Sequence, residues 1–121
     1  MNTDELRLAL SNFTGSGCLY QHSLNHNINY TEGVQYFAEH AGGGAYWLLD
    51  IFATEPDILK QQKEFASITL TVSNSERAEI IVNDGNDSPP VLKRQISWTT
   101  CPEGVWKFYM IAGTILLPSE Y

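Results

Sequence analysis

A chain of 121 residues with 43% hydrophobic and 12% aromatic residues is the size of one domain. It carries enough apolar surface for one core without a disulfide or metal staple. The charged fraction of 17% excludes a disordered acidic tail, and the net charge of −7 argues against direct nucleic-acid binding or an anionic membrane, since neutralising phosphates needs clustered Lys and Arg. The acid excess lies in the first half: residues 1–57 hold seven acids against Arg7 alone, and residues 58–121 hold seven acids against six bases.

Asn2 to Arg7 shows no basic stretch leading into an apolar run, and no segment approaches the length of a membrane span, so the expected location is the cytoplasm. Cys18 and Cys101 are then expected as two reduced thiols, with a disulfide between them the alternative.

Thr3 reads as a helix N-cap with Asp4 and Glu5 in the first turn, where the helix dipole favours acids. Leu6, Leu8, Ala9, Leu10 and Phe13 continue a short helix, closed by Thr14-Gly15-Ser16-Gly17. Cys18–Ser23 and Ile28–Tyr30 read as extended pieces around a polar Asn25-His26-Asn27 turn, a small hairpin. Thr31 is a second N-cap, followed by Val34, Phe37, Ala38 and Ala41 at helical spacing until Gly42-Gly43-Gly44 ends or bends the helix. The apolar run Ala45–Ala53 suits a short buried helix, and Pro56 can open another turn.

From Phe65 the period changes to two. Ile68, Leu70 and Val72 alternate with Thr69 and Thr71, and Ala78, Ile80 and Val82 repeat the pattern after an Asn74-Ser75-Glu76 turn. Asp84–Pro90 is a loop by composition. Val91–Thr99, Gly104–Ile111 and Thr114–Leu117 supply further strands. Helices first and a meander afterwards predict an α+β fold: two or three short helices packed on one face of a four- to six-stranded antiparallel sheet, in a single domain spanning residues 1–121.

Asp50 is the first candidate for chemistry, an acid inside the most apolar stretch of the chain. Burying an unpaired carboxylate costs several kcal/mol, so it must reach water, hold a proton or find a partner. With His22 or His40 it could form an acid–base pair; otherwise it caps a turn or joins a structural network. His22 and His26 are four apart, but the Asn-rich interval reads as a turn, and the strong zinc signatures are absent. No metal site and no cofactor are expected. Asp84-Gly85-Asn86-Asp87 resembles a calcium loop in composition only, and Gly42-Gly43-Gly44 lacks the GK[ST] of a phosphate loop; the latter reads as a helix terminator and hinge. Beside Cys101, Pro102 and Glu103 do nothing to favour a thiolate, so a buried or idle thiol is expected.

The aromatics signal something else. Tyrosine and tryptophan combine large contact area with a polar tip and enrich binding surfaces, though they also build cores. Tyr46 and Trp47, beside the glycine run, mark a pocket or partner surface.

Four segments together, Asn12-Phe13-Thr14-Gly15, Tyr30-Thr31-Glu32-Gly33-Val34, Tyr46-Trp47-Leu48-Leu49-Asp50 and Leu117-Pro118-Ser119-Glu120-Tyr121, resemble a family of small uncharacterised proteins from bacteria, plasmids and phages, a domain of unknown function. The resemblance implies no known reaction; it implies a mobile-element or accessory context and favours small protein-binding modulators over housekeeping enzymes. The expected function is a non-catalytic protein-binding module that contacts a protein partner or itself, with His22, Tyr30, Tyr46, Trp47 and Asp50 as candidate ligand- or partner-binding residues. The alternative is a small-ligand binder or enzyme using Asp50 with a nearby histidine.

Overall fold

The computed structural model describes residues 1–15, 18–86 and 89–121. Ser16 and Gly17 of the expected first terminator, and Asp87 and Ser88 of the expected loop, lie outside the described residues.

Helix α1 (Thr3–Leu10) is capped one residue earlier than its acids imply. The Asn2 side chain accepts from the Glu5 backbone N–H, and the Glu5 carboxylate accepts from the Asn2 N–H, so the pair closes a capping box. Strands β1 (Leu19–Gln21) and β2 (Asn29–Thr31) form the expected hairpin, with Tyr20 opposite Tyr30. Thr31 caps α2 (Glu32–His40) through its hydroxyl. Two helices follow the glycine run, α3 (Tyr46–Thr54) and α4 (Pro56–Gln61), the second opening on proline, whose missing N–H costs nothing in a first turn.

The second half holds β3 (Ala66–Val72), β4 (Ala78–Asn83), β5 (Leu92–Ile96), β6 (Gly104–Ile111) and β7 (Thr114–Leu116), then a 3₁₀ turn over Pro118–Glu120. It is not the expected meander: β3, β4 and β5 pair in succession, and β6 returns past them to pair with β3, the Greek-key order β6-β3-β4-β5. Burial alternates along β3 and β4 as the period of two requires. Ala66, Ile68, Leu70, Ala78, Ile80, Val82, Trp106, Phe108, Met110 and Ile115 face the helices and share one core with Leu6, Phe37, Leu48, Leu49, Phe52 and Ile58. Phe108 is its hub, with the Phe37 and Phe52 rings at 5.0 and 5.5 Å.

Helix number, strand number and strand direction are corrected as well. The described residues hold four α-helices, not two or three, and one seven-stranded sheet in the order β1-β2-β7-β6-β3-β4-β5, not four to six antiparallel strands. The β2–β7 pair is parallel, making the sheet mixed. Local pattern cannot reveal this. β2 and β7 are three residues each, and their pairing joins Asn29 to Thr114 and Tyr30 to Ile115, a contact between segments about 85 residues apart that no local signal carries.

Candidate functional site

The candidate residues fall into two groups. The first centres on His22, which is 3% exposed. Its Nε2 lies 2.8 Å from Asp50 Oδ1, while its Nδ1 accepts the backbone N–H groups of Leu24 and Asn25 at 3.2 and 3.0 Å. Because Nδ1 is an acceptor, the hydrogen of the neutral ring sits on Nε2 and is donated to the carboxylate. Asn25 extends the link by donating from Nδ2 to the Ala53 carbonyl at 2.8 Å. The β1–β2 turn is thus strapped to α3 at two points.

Asp50 escapes the expected burial cost, because its side chain keeps 50% of its surface exposed. His22, and not His40, is its partner; His40 packs on the Tyr36 ring at 4.2 Å. A general base needs a free lone pair aimed at a substrate proton, and both nitrogens of His22 are engaged within the fold. Among the described residues, no group of three or more metal-ligating side chains converges.

The second group is aromatic. Tyr20 and Tyr30 stack at 5.7 Å at the sheet edge. Tyr46, at the start of α3 and 42% exposed, donates its hydroxyl to Glu39 at 3.2 Å. Its phenol is pushed up to about 12, first by desolvation, then by the charge and hydrogen bond of Glu39, with Tyr30 and Tyr20 adding to the effect. Desolvation, with Glu39 and Tyr20 nearby, also raises Tyr30.

Trp47 points elsewhere. It is half-buried and, with Gly43, Gly44, Trp98, Thr99 and Thr100, lines a cleft of about 400 Å³. The wall opposite α3 is fixed by hydrogen bonds. Trp98 Nε1 donates to Glu76 Oε2 at 2.8 Å, the Thr99 N–H donates to the Glu76 carbonyl at 2.8 Å, and the Cys101 N–H donates to Thr99 Oγ1 at 3.1 Å. Trp98 is still 64% exposed.

The glycine run forms part of this wall and is no free hinge. The Gly43 N–H donates to Thr100 Oγ1 at 2.8 Å. Gly42 has φ of +60°, and a Cβ there would lie 2.0 Å from the Thr100 carbonyl oxygen. Only glycine permits this approach. The run signalled a helix end in the sequence; its contact with Thr100, 57 residues on, carried no local signal.

The thiols are unbridged. Burial pushes the Cys101 thiol up, against opposing hydrogen bonds from Thr99 and its own backbone. Cys18 is raised mainly by a hydrogen bond to Glu32 and by that residue's charge. Neither is an activated nucleophile.

Glu120, which the sequence placed in the terminal Leu117–Tyr121 segment but not among the candidate site residues, organises the chain end. The Glu120 carboxylate accepts from the Thr31 hydroxyl at 2.6 Å, the Gly33 N–H at 3.3 Å and the Leu117 N–H at 3.0 Å. Asn12–Gly15 packs beside it, sharing a small recess with Glu32 and Glu120. Three segments far apart in sequence meet there.

A family profile matches residues 4–121, nearly the whole chain. The chain belongs to the family of unknown function DUF6876. No curated protein and no solved structure matches it. The DUF6876 match takes in the His22–Asp50 strap, the Trp47–Trp98 cleft and the Glu120 anchor alike. Among the described residues of this DUF6876 member, no helix is long and apolar enough to cross a membrane.

Proposed function

We propose that this chain is a non-catalytic protein-binding module, a small accessory protein that engages its partner through the Trp47–Trp98 cleft. The observation that carries this reading is Trp98: a large ring left 64% exposed yet held in place by the hydrogen bond to Glu76. An exposed apolar ring is unfavourable in a free protein and profitable in an interface. Fixing it beforehand also lowers the entropy lost on binding. The bare backbone of Gly43 and Gly44 lets a partner side chain approach between the indoles. Tyr46 and Tyr30 form a second aromatic surface on the acidic half, suited to a basic rim on the partner.

His22 and Asp50 belong to the support of this module. Their hydrogen bonds fix the hairpin to α3, the helix that carries Tyr46 and Trp47. A ligand-binding or acid–base role for the pair would need a free nitrogen on His22.

The test pairs two measurements. Native mass spectrometry of the gently purified, untagged chain is expected to give the bare chain mass as monomer or dimer; a retained small molecule would move the reading to ligand binding. Affinity capture with the wild-type chain is then compared with Trp98→Ala and Trp47→Ala. Loss of one specific partner in both variants, with circular dichroism unchanged, is the expected result. Equal capture by Trp98→Ala would sink the cleft reading, and unfolding of Trp47→Ala alone would assign that ring to the core it packs against.

A further inference from the structure

Strand β6 is eight residues long, but its neighbour β7 is only three. β7 covers Tyr109 to Ile111 and leaves the same edge of Gly104 to Phe108 without a strand. The pairing shows which backbone groups are left over. The Ala112-Gly113 turn has φ of +50° and +86°, a two-residue hairpin loop, so Ile111 and Thr114 form a hydrogen-bonded pair. Alternation then directs the N–H and C=O groups of Tyr109 and Ile111 to β7, and those of Trp106, Phe108 and Met110 to β3. On the uncovered edge the outward groups belong to Val105 and Lys107.

The chain itself ends the pairing. Leu116 lies opposite Tyr109, so the residue two further on, Pro118, would stand opposite Lys107. Proline has no N–H to give, and it starts the 3₁₀ turn that carries the chain away. At the other end the Thr3 hydroxyl takes the Glu103 carbonyl. Between these stops lies a groove of about 240 Å³, walled by Arg7, Leu10 and Ser11 of α1 and by Leu117, Pro118 and Ser119. Val105 also lines it and is 48% exposed, its side chain on the sheet face opposite Trp106.

The charge of the groove opposes that of the chain. Arg7 lies over the Trp106 ring at 5.3 Å and Lys107 is exposed. Among the described residues the ion pairs are His22–Asp50 and Arg94–Glu55, so neither groove cation is neutralised by one. Two of the seven bases in a chain of net charge −7 flank this stretch of strand edge, which a proline cuts off.

From this geometry we propose that the uncovered half of β6 is a strand-accepting site for an extended acidic segment of a partner protein. The segment continues the line of β7, antiparallel to β6. It exchanges backbone hydrogen bonds with Val105 and Lys107, sets its carboxylates beside Lys107 on the sheet face away from the helices, and lays its apolar side chains on the helix face against Leu10 and Trp106. A second copy of this chain is the less suited occupant, because each copy brings −7 of like charge. The site is separate from the Trp47–Trp98 cleft and does not depend on it.

The test uses the full ¹⁵N-labelled chain and two short capped peptides, one alternating Val and Glu and the other Val and Lys. The Val–Glu peptide is expected to shift the Val105 and Lys107 amide signals and slow their hydrogen exchange, and the Val–Lys peptide to leave them unchanged. Lys107→Glu should weaken the Val–Glu peptide about tenfold. Val105→Pro should abolish its binding while leaving the β3–β6 ladder, which does not use that N–H, in place. Trp98→Ala should bind it as the wild type does. Unmoved Val105 and Lys107 amides, equal response to both peptides, or retained affinity in Lys107→Glu would overturn the proposal. Concentration-dependent protection of the same amides without peptide would assign the edge to a second copy and overturn it equally.

Discussion

His22 Nε2 donates to Asp50 Oδ1 at 2.8 Å, joining the β1–β2 turn to the middle of α3 across 28 residues of chain. The same ring accepts two backbone N–H groups on its other nitrogen, so one imidazole satisfies three groups of the fold.

Removing the ring should therefore cost more than removing the charge. His22→Ala leaves the Leu24 and Asn25 N–H groups without their acceptor and opens a cavity, for a loss of about 2–4 kcal/mol. Asp50→Asn keeps an oxygen for the Nε2 hydrogen and should cost about 1 kcal/mol or less. Urea unfolding midpoints of the two variants check the difference, and long-range proton–nitrogen correlation spectra should find the His22 hydrogen on Nε2. Equal losses would mean that the carboxylate charge, and not the ring's three hydrogen bonds, governs the strap.

The glycine run makes a sharper contrast between neighbours. Gly42→Ala places a methyl on the Thr100 carbonyl in a left-handed backbone conformation, and should destabilise by about 2–4 kcal/mol. At Gly43 the added Cβ would lie 3.4 Å from Thr100 Oγ1 with no positive φ, so Gly43→Ala should stay within about 1 kcal/mol of the parent. Scanning calorimetry of both proteins reads the difference directly.

Tyr46 supplies a pH dependence whose sign is fixed. Its phenol is raised from 10.0 to about 12 in the fold, so the unfolded chain loses this proton first. The contribution of Tyr46 to stability is whole below pH 10 and disappears as pH climbs from 10 towards 12. Phenolate absorbance should show Tyr46 titrating late, with Tyr30 also raised. Glu39→Gln removes both the charge and the charged acceptor and should bring that titration down, leaving the part due to desolvation. A late Tyr46 titration unaffected by Glu39→Gln would put the whole shift on burial.

Glu120 should govern the chain end. Glu120→Ala strips the acceptor from the Thr31 hydroxyl and from the Gly33 and Leu117 N–H groups, at a cost of about 2–3 kcal/mol for partly buried groups. Amide exchange should accelerate at Gly33 and Leu117 together. Acceleration at Leu117 alone would show that the 3₁₀ turn frays without loosening α2.

Most of the elements were legible because their causes are local. Thr31 and Pro56 open helices through their own side chains. The Ile68-Leu70-Val72 alternation is a property of the pleat, and the glycines punctuate through their own torsions. The α1 cap lies at Asn2 and not Thr3: Thr3, Asp4 and Glu5 all suit a helix start, and only the Asn2–Glu5 hydrogen bonds decide where it begins. The candidate site was half legible. An acid within an apolar stretch had to find water or a partner, and Asp50 found both; which histidine it met was not written locally.

By itself, then, the sequence determined the α+β character, the positions of most helices and strands, and the excess of acids over bases in the first half. Those follow from periodicity, capping and charge, which act over a few residues. Tertiary structure alone decided the joining of the β1–β2 hairpin to the main sheet through the parallel β2–β7 pair, the return of β6 to β3, the choice of His22 over His40 and the Thr100 contact that requires Gly42. Each of these joins residues tens of positions apart, and such contacts exist only after the intervening chain has paid its entropy of closure.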